Sequence, residues 1–146
     1  KDNIFVYDSV DVSMDDLNNY CEENEVDVII IDQLDKINIR GNYNAQHEKL
    51  KEIYKQAREL AKRNNVLVIG ISQAGAEAHN QQRIDFNWLD NSKTGKAGEA
   101  DLIIGIGKPR DSDKDYDRWL YLSKNKLTGE HIDIECSLNH TLSRYE

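Results

Sequence analysis

Short β-branched apolar runs alternate with amphipathic stretches along these 146 residues, which predicts an α/β fold. The expected architecture is a mainly parallel twisted sheet flanked by helices, with antiparallel hairpin strands at the C-terminal end. Two observations set its limits. No Pro/Gly/Ser-rich linker, repeat or low-complexity tract divides the chain, so residues 1–146 read as a single unit. That length is enough to bury about 68–70% of the surface an unfolded chain exposes, so no disulfide or metal staple is required.

The elements follow in order. Residues 4–7 are a short apolar run consistent with a buried strand. Ser13 then stands at an N-cap position with Asp16 three residues on, and Met14, Leu17, Tyr20 and Cys21 recur at helical spacing. Residues 26–31 are almost continuously apolar and β-branched, as in a strand covered on both faces. After a polar loop with Gly41, the positions of Leu50, Ile53, Tyr54, Ala57, Leu60 and Ala61 mark one helical stripe. Asn64-Asn65 ends that helix, and residues 66–71 form the next buried strand. Residues 74–96 are polar and without a clean period, as functional loops often are. Residues 102–106 are a further apolar run, and the acidic stretch 111–117 reads as an exposed loop. Residues 119–123, 131–136 and 138–144 complete the set as strands, with Thr128-Gly129 as the turn between the first two.

Composition excludes several classes. The longest apolar runs are far too short for a membrane-spanning helix, and no N-terminal stretch reads as a signal peptide, so a cytoplasmic location and no membrane partner are expected. Cys21 and Cys136 lie more than a hundred residues apart with no metal-ligand spacing, and each reads as a small buried hydrophobe. The net charge of −8 argues against a general affinity for nucleic acid, but the charge is partitioned. Residues 1–35 carry one Lys against eleven Asp/Glu, a net −10, whereas residues 36–63 carry eight Lys/Arg against three Glu, a net +5. A basic stretch of that kind is either a solvated helix face or a binding surface.

In parallel α/β sheets ligands bind beyond the carboxyl ends of the strands, so the residues there carry the chemistry. Asp32 ends the run Val28-Ile29-Ile30-Ile31, where an NTPase holds the water shell of a magnesium ion through a hard oxygen ligand. Ser72-Gln73 ends the following strand, where a glutamine can hydrogen-bond a terminal phosphate or simply cap the sheet edge. Lys124 and Lys126 alternate on an extended segment and so project from one face, as ligand-seeking cations or as lysines guarding a hairpin edge.

The order of these segments resembles a known family. Val-Ile-Ile-Ile-Asp-Gln-Leu-Asp-Lys-Ile, a basic helix, Val-Leu-Val-Ile-Gly-Ile-Ser-Gln, Gly-Glu-Ala-Asp-Leu-Ile-Ile-Gly-Ile and Lys-Asn-Lys-Leu-Thr-Gly together are similar to the ATPase domain of DnaB-type hexameric replicative helicases. These RecA-fold motors include phage primase-helicases. The resemblance implies a RecA-like P-loop NTPase core using ATP and Mg²⁺, with single-stranded DNA as a partner. It also implies identical subunits in a ring, and primase or other replisome proteins as further partners. It makes Asp32 the second acidic motif, acting on Mg²⁺ through water. Gln73, beside Ser72, takes the place of the γ-phosphate sensor. Lys124 and Lys126 match the Lys-x-Arg pair offered to the neighbouring subunit's nucleotide, with Lys126 in place of the arginine; lysine supplies charge without a planar fork of donors. The loops 33–45 and 74–96 correspond to those facing the DNA channel, with Lys36, Arg40, Lys93 and Lys96 as phosphate contacts. The second loop departs from the family's usual small-residue pattern.

No Gly-x-x-x-x-Gly-Lys-Ser/Thr occurs in the 146 residues, so nothing here cradles the α- and β-phosphates. The expectation is the C-terminal portion of a longer helicase, whose phosphate-binding part lies upstream, and no ATPase activity from this portion alone. Two other readings remain: a recombinase or related ATPase on the same RecA core, and a non-catalytic assembly domain that has lost its P-loop.

Overall fold

The computed structural model describes residues 3–8, 10–89, 95–108 and 116–146. Its first helix, α1 (Met14–Glu23), starts as its sequence prescribes. The Asp16 amide donates to Ser13 Oγ at 3.2 Å and the Ser13 amide donates to Asp16 Oδ2 at 2.9 Å, a reciprocal capping box. The Ser13 hydroxyl, donating to Asp16 Oδ2 at 2.6 Å, and then the Ser13 amide hold the Asp16 carboxyl below its ordinary range. β1 (Val28–Asp32) follows, then a single 3₁₀ turn over Leu34–Lys36 and the long helix α2 (Gln46–Asn64). α2 stops where Asn65 turns left-handed (φ 54°), a conformation asparagine tolerates, with its amide bonded back to the Ala61 carbonyl. β2 (Leu67–Ile71) pairs with β1 in parallel.

The core lies between α2 and one face of this pair. Leu50, Ile53, Ala57 and Leu60 on α2 are buried against Met14, Leu34 and Ile37, with Ile29, Ile31 and Val68 packed on the cluster. Ile53 is 0% exposed. The spacing of three and four that marked the helix therefore marks its buried stripe as well.

The second half is a separate antiparallel sheet. A five-residue helix, α3 (Gly95–Glu99), leads into β3 (Leu102–Gly107), β4 (Asp117–Asn125), β5 (Asp133–Asn139) and β6 (Arg144–Tyr145), which are neighbours in that order. Residues 81–84 lie across β3 at its glycines: a methyl group at Gly105 would overlap the Ile84 carbonyl, and one at Gly107 the Gln82 carbonyl. The polar stretch after β2 is thus folded down onto the sheet. It is closed at its base by the Ala74–Leu89 bridge and a 2.7 Å bond from the Gly75 amide to the Trp88 carbonyl.

Several expectations need correction. The α/β class holds, but among the described residues its parallel part is small, two strands, and the other four are antiparallel. Residues 4–7 are extended and exposed rather than a buried strand, since no described strand lies beside them to supply a hydrogen-bonding ladder. Among the described residues, β1, β2 and β3 are covered on one face only. Val28, Ile30, Leu67, Ile69, Ile71, Leu102, Ile104 and Ile106 are all exposed, Ile30 by 65%. The final strand is cut short by a turn at 140–143, where Asn139 Oδ1 accepts the Leu142 amide and Ser143 is left-handed at φ 49°. Both cysteines are half-buried and free. Most of the acidic stretch 111–117 lies outside the described residues.

Candidate functional site

The β1–β2 register fixes the centre of the site. Asp32 is paired with Ile71, so its carboxylate and the two residues after Ile71, Ser72 and Gln73, leave the sheet at the same edge. Asp32 and Gln73 are both exposed there. The Asp32–Gln33 peptide is cis.

Behind this edge is a polar cluster that the sequence did not announce. Lys96 on α3 is only 1% exposed, and its Nζ donates to Asp35 Oδ2 at 2.7 Å and to Ser72 Oγ at 3.3 Å. Ser72 Oγ donates to Asp35 Oδ2 at 2.8 Å, and the Tyr54 hydroxyl donates to Asp35 Oδ1 at 2.8 Å. The Lys96 ammonium also sits 5.6 Å from the centre of the Tyr54 ring, within cation–π range. Burial, reinforced by the Asp35 charge, pushes the Tyr54 phenol far above its ordinary range, so it stays a donor. Two expectations change accordingly. Lys96 is an interior cation held by a carboxylate, not the exposed phosphate contact expected. Ser72 is engaged with Asp35 and Lys96, which leaves Gln73 as the outward-facing member of that pair. Asp35 and Tyr54 were missed; the available signal was a second acid three residues after Asp32, followed by a tyrosine on the buried stripe of the next helix.

Lys124 near the end of β4 and Lys126 in the turn just beyond it converge on one place, though not by strand alternation. Both ammonium groups close on the C-terminal end of α3: Lys124 Nζ bonds the Ala97 carbonyl, and Lys126 Nζ bonds the Gly98 carbonyl at 3.1 Å and Asp101 Oδ1 at 3.3 Å. Arg58 of α2 joins them, donating to the Glu99 carbonyl and to Asp101 Oδ1 at 2.9 Å. Cations suit helix carbonyl ends, although here they are crowded. Loss of hydration, and then the neighbouring Lys126 charge, pull the Lys124 ammonium below the ordinary lysine range.

Asp101 answers with the opposite charge and a shift of its own. The Arg58 hydrogen bond, followed by that of Lys126, holds its carboxyl below the ordinary aspartate value of 3.8. Its contribution to stability is therefore present above pH 3.8 and is lost as pH falls through the lower, folded-state value. A carboxyl NMR titration should show Asp101 with a midpoint below 3.8, and Arg58→Ala should return it toward that value.

The remaining basic residues divide. Lys36, at the end of the 3₁₀ turn, and Arg40 are exposed, and Arg40 Nε pairs with Asp15 Oδ2 at 2.9 Å in a solvent-exposed ion pair of the kind that contributes little to stability. Their segment is anchored from behind: Leu34 and Ile37 are in the core, the Met14 amide donates to the Asn38 carbonyl at 3.0 Å, and the Asn38 amide donates to the Val12 carbonyl at 3.1 Å. Lys93 lies outside the described residues.

Among the described residues no group of three or more His, Cys, Asp or Glu side chains could hold a metal ion. A lone exposed carboxylate at a strand end nonetheless fits Mg²⁺, which keeps most of its water and takes one or two carboxylates together with substrate phosphates.

The sequence matches the model of the DnaB-like helicase C terminal domain over residues 1–146. The chain belongs to that family. No curated protein matches it at a significant level. Two solved structures share the fold of this DnaB-like domain. One is an ATPase domain, with a TM-score of 0.84 and 14% identity over 95% of this chain and 52% of that one. The other is a DnaB-like replicative helicase described with its interactions with primase, with a TM-score of 0.83 and 14% identity over 95% of this chain and 36% of that one. The chain thus spans about half of the first and about a third of the second. Among the described residues of this DnaB-like domain, no helix is long and apolar enough to cross a membrane.

Proposed function

We propose that this chain is the sensor-and-finger portion of an ATP-dependent replicative helicase that moves along single-stranded DNA and separates the duplex. The observation carrying this reading is the β1–β2 register, which puts Asp32 and Gln73 at one sheet edge within a DnaB-like domain. Bound Mg²⁺ would supply charge neutralisation at the nucleotide phosphates. Asp32 orients the ion's water shell, and Gln73 hydrogen-bonds the terminal phosphate and shifts when it leaves. Lys124 and Lys126 serve the nucleotide of the neighbouring subunit in a hexameric ring. As compact, mobile charges they exchange α3 carbonyls for phosphate oxygens. Lys36, Arg40 and Lys93 contact the DNA backbone. Because no phosphate loop occurs in these 146 residues, the chain by itself turns over no ATP.

The test uses the full-length parent protein. Single-stranded DNA should stimulate its ATP turnover and forked duplex should be unwound, while Asp32→Asn should lower turnover by about 10–100-fold, the usual cost of an outer-shell metal partner. Lys36→Ala and Arg40→Ala should each make the salt dependence of single-strand binding shallower by about 0.7 in slope. ATP turnover by the purified chain 1–146, or an Asp32→Asn parent as active as wild type, overturns the assignment. An open filament on DNA in place of a closed ring would favour a recombinase.

A further inference from the structure

Three pieces that the proposed function uses separately meet at one side chain. Lys96 Nζ is bonded to Asp35, which precedes Lys36 in the first DNA-facing segment, and to Ser72, which precedes Gln73 at the β2 end. Lys96 itself belongs to α3, whose last carbonyls are held by Lys124 and Lys126. Asp35 and Ser72 are also bonded directly to each other, so the three groups form a closed triangle.

We propose that Lys96 is a positioning residue that couples the nucleotide sensor to the DNA-binding segments. The physical reason is its charge. An ammonium 1% exposed has no water to turn to, so it cannot release one oxygen partner without keeping or gaining another. If Gln73 moves with the γ-phosphate, Ser72 moves with it, and the triangle carries the displacement to Asp35–Lys36 on one side and to α3 on the other. Packed interiors pass on such shifts because they rearrange between discrete states instead of deforming smoothly. The same tie draws the two lysines offered to the next subunit into the motion, since both bond α3.

This inference rests on the helicase reading, and its test separates the two. In the full-length protein, the affinity for oligo-dT is measured with and without a non-hydrolysable ATP analogue. The ratio of the two affinities is the coupling between the sites, which is reciprocal by linkage. Lys96→Met, close in length but uncharged, is expected to shrink that ratio by roughly fivefold or more, the lower end of usual coupling factors. The apolar pair Asp35→Leu/Lys96→Met removes the buried charges together, so it should restore part of the hydrogen-exchange protection of α2, short of wild type because the Tyr54 and Ser72 hydroxyls lose an acceptor, while leaving the ratio small. Should Lys96→Met fail to fold, the double variant carries the test by itself. A ratio restored to the wild-type value in the double variant, or unchanged in Lys96→Met, shows a merely structural pair and overturns the inference. A wild type with no such ratio overturns the helicase reading, and this inference with it.

Discussion

Asp35→Ala is expected to lower the local stability of the α2–β1 region by about 3–5 kcal/mol, the usual cost of stripping one partner from a buried ion pair. Lys96 would keep the Ser72 hydroxyl and the Tyr54 ring face for its charge but no carboxylate among the described residues, and the Tyr54 hydroxyl would lose its acceptor as well. The Asp35 side chain is itself 20% exposed, so some water can enter the vacated space and the lower end of the range is the better guide. Native-state hydrogen exchange at α2 and β1 amides in the full-length protein reads this directly, because it reports opening free energies region by region. A loss below about 1 kcal/mol would mean that Lys96 reaches solvent at little cost, and the ion pair would then be unimportant to the fold.

The second large effect is apolar. Ile53→Ala strips the branched end of a side chain from a site with no solvent exposure, between Leu50 and Ala57 on its own helix and the Met14–Leu34–Ile37 cluster opposite. Lost transfer energy and the residual cavity together should cost about 2–5 kcal/mol. The same exchange measurement should show the loss across α2, with little change in the antiparallel sheet β3–β6. An equal loss in both regions would show that the two halves open as one unit.

Those two positions also mark what can be read from a sequence of this kind. Ile53 announced itself, because helical periodicity and burial are the same fact seen twice. Ser13 and Asp16 did so too, since a capping box is satisfied within four residues. Asp32 and Gln73 were chosen by the rule that strand ends carry chemistry, and the register brings them to the same end of the strand pair. Lys96 could not be found that way. It stands in a polar segment, where a lysine ordinarily faces solvent, and its partner Asp35 is 61 residues away. Only the packing of α3 against α2 brings the two together. The apolar runs of β1 and β2 misled in the opposite sense. A β-branched run records that both faces are to be covered, but it does not say by which residues, and among the described residues one face of each strand is uncovered. Lys124 and Lys126 lie between these cases: alternation predicted that they meet, but Lys126 lies beyond the strand, and their bonds to α3 carbonyls depend on a helix too short to leave a periodic signature.

The Asp35–Lys96 contact has a consequence for descent. Either charge without the other is costly, whereas the pair and its all-apolar replacement both leave no buried charge uncompensated. Evolutionary drift at these two positions is therefore constrained to paired steps, and each single step must cross a poorly tolerated intermediate. Across relatives of this chain, positions 35 and 96 should be inherited as a unit, either both charged or both uncharged.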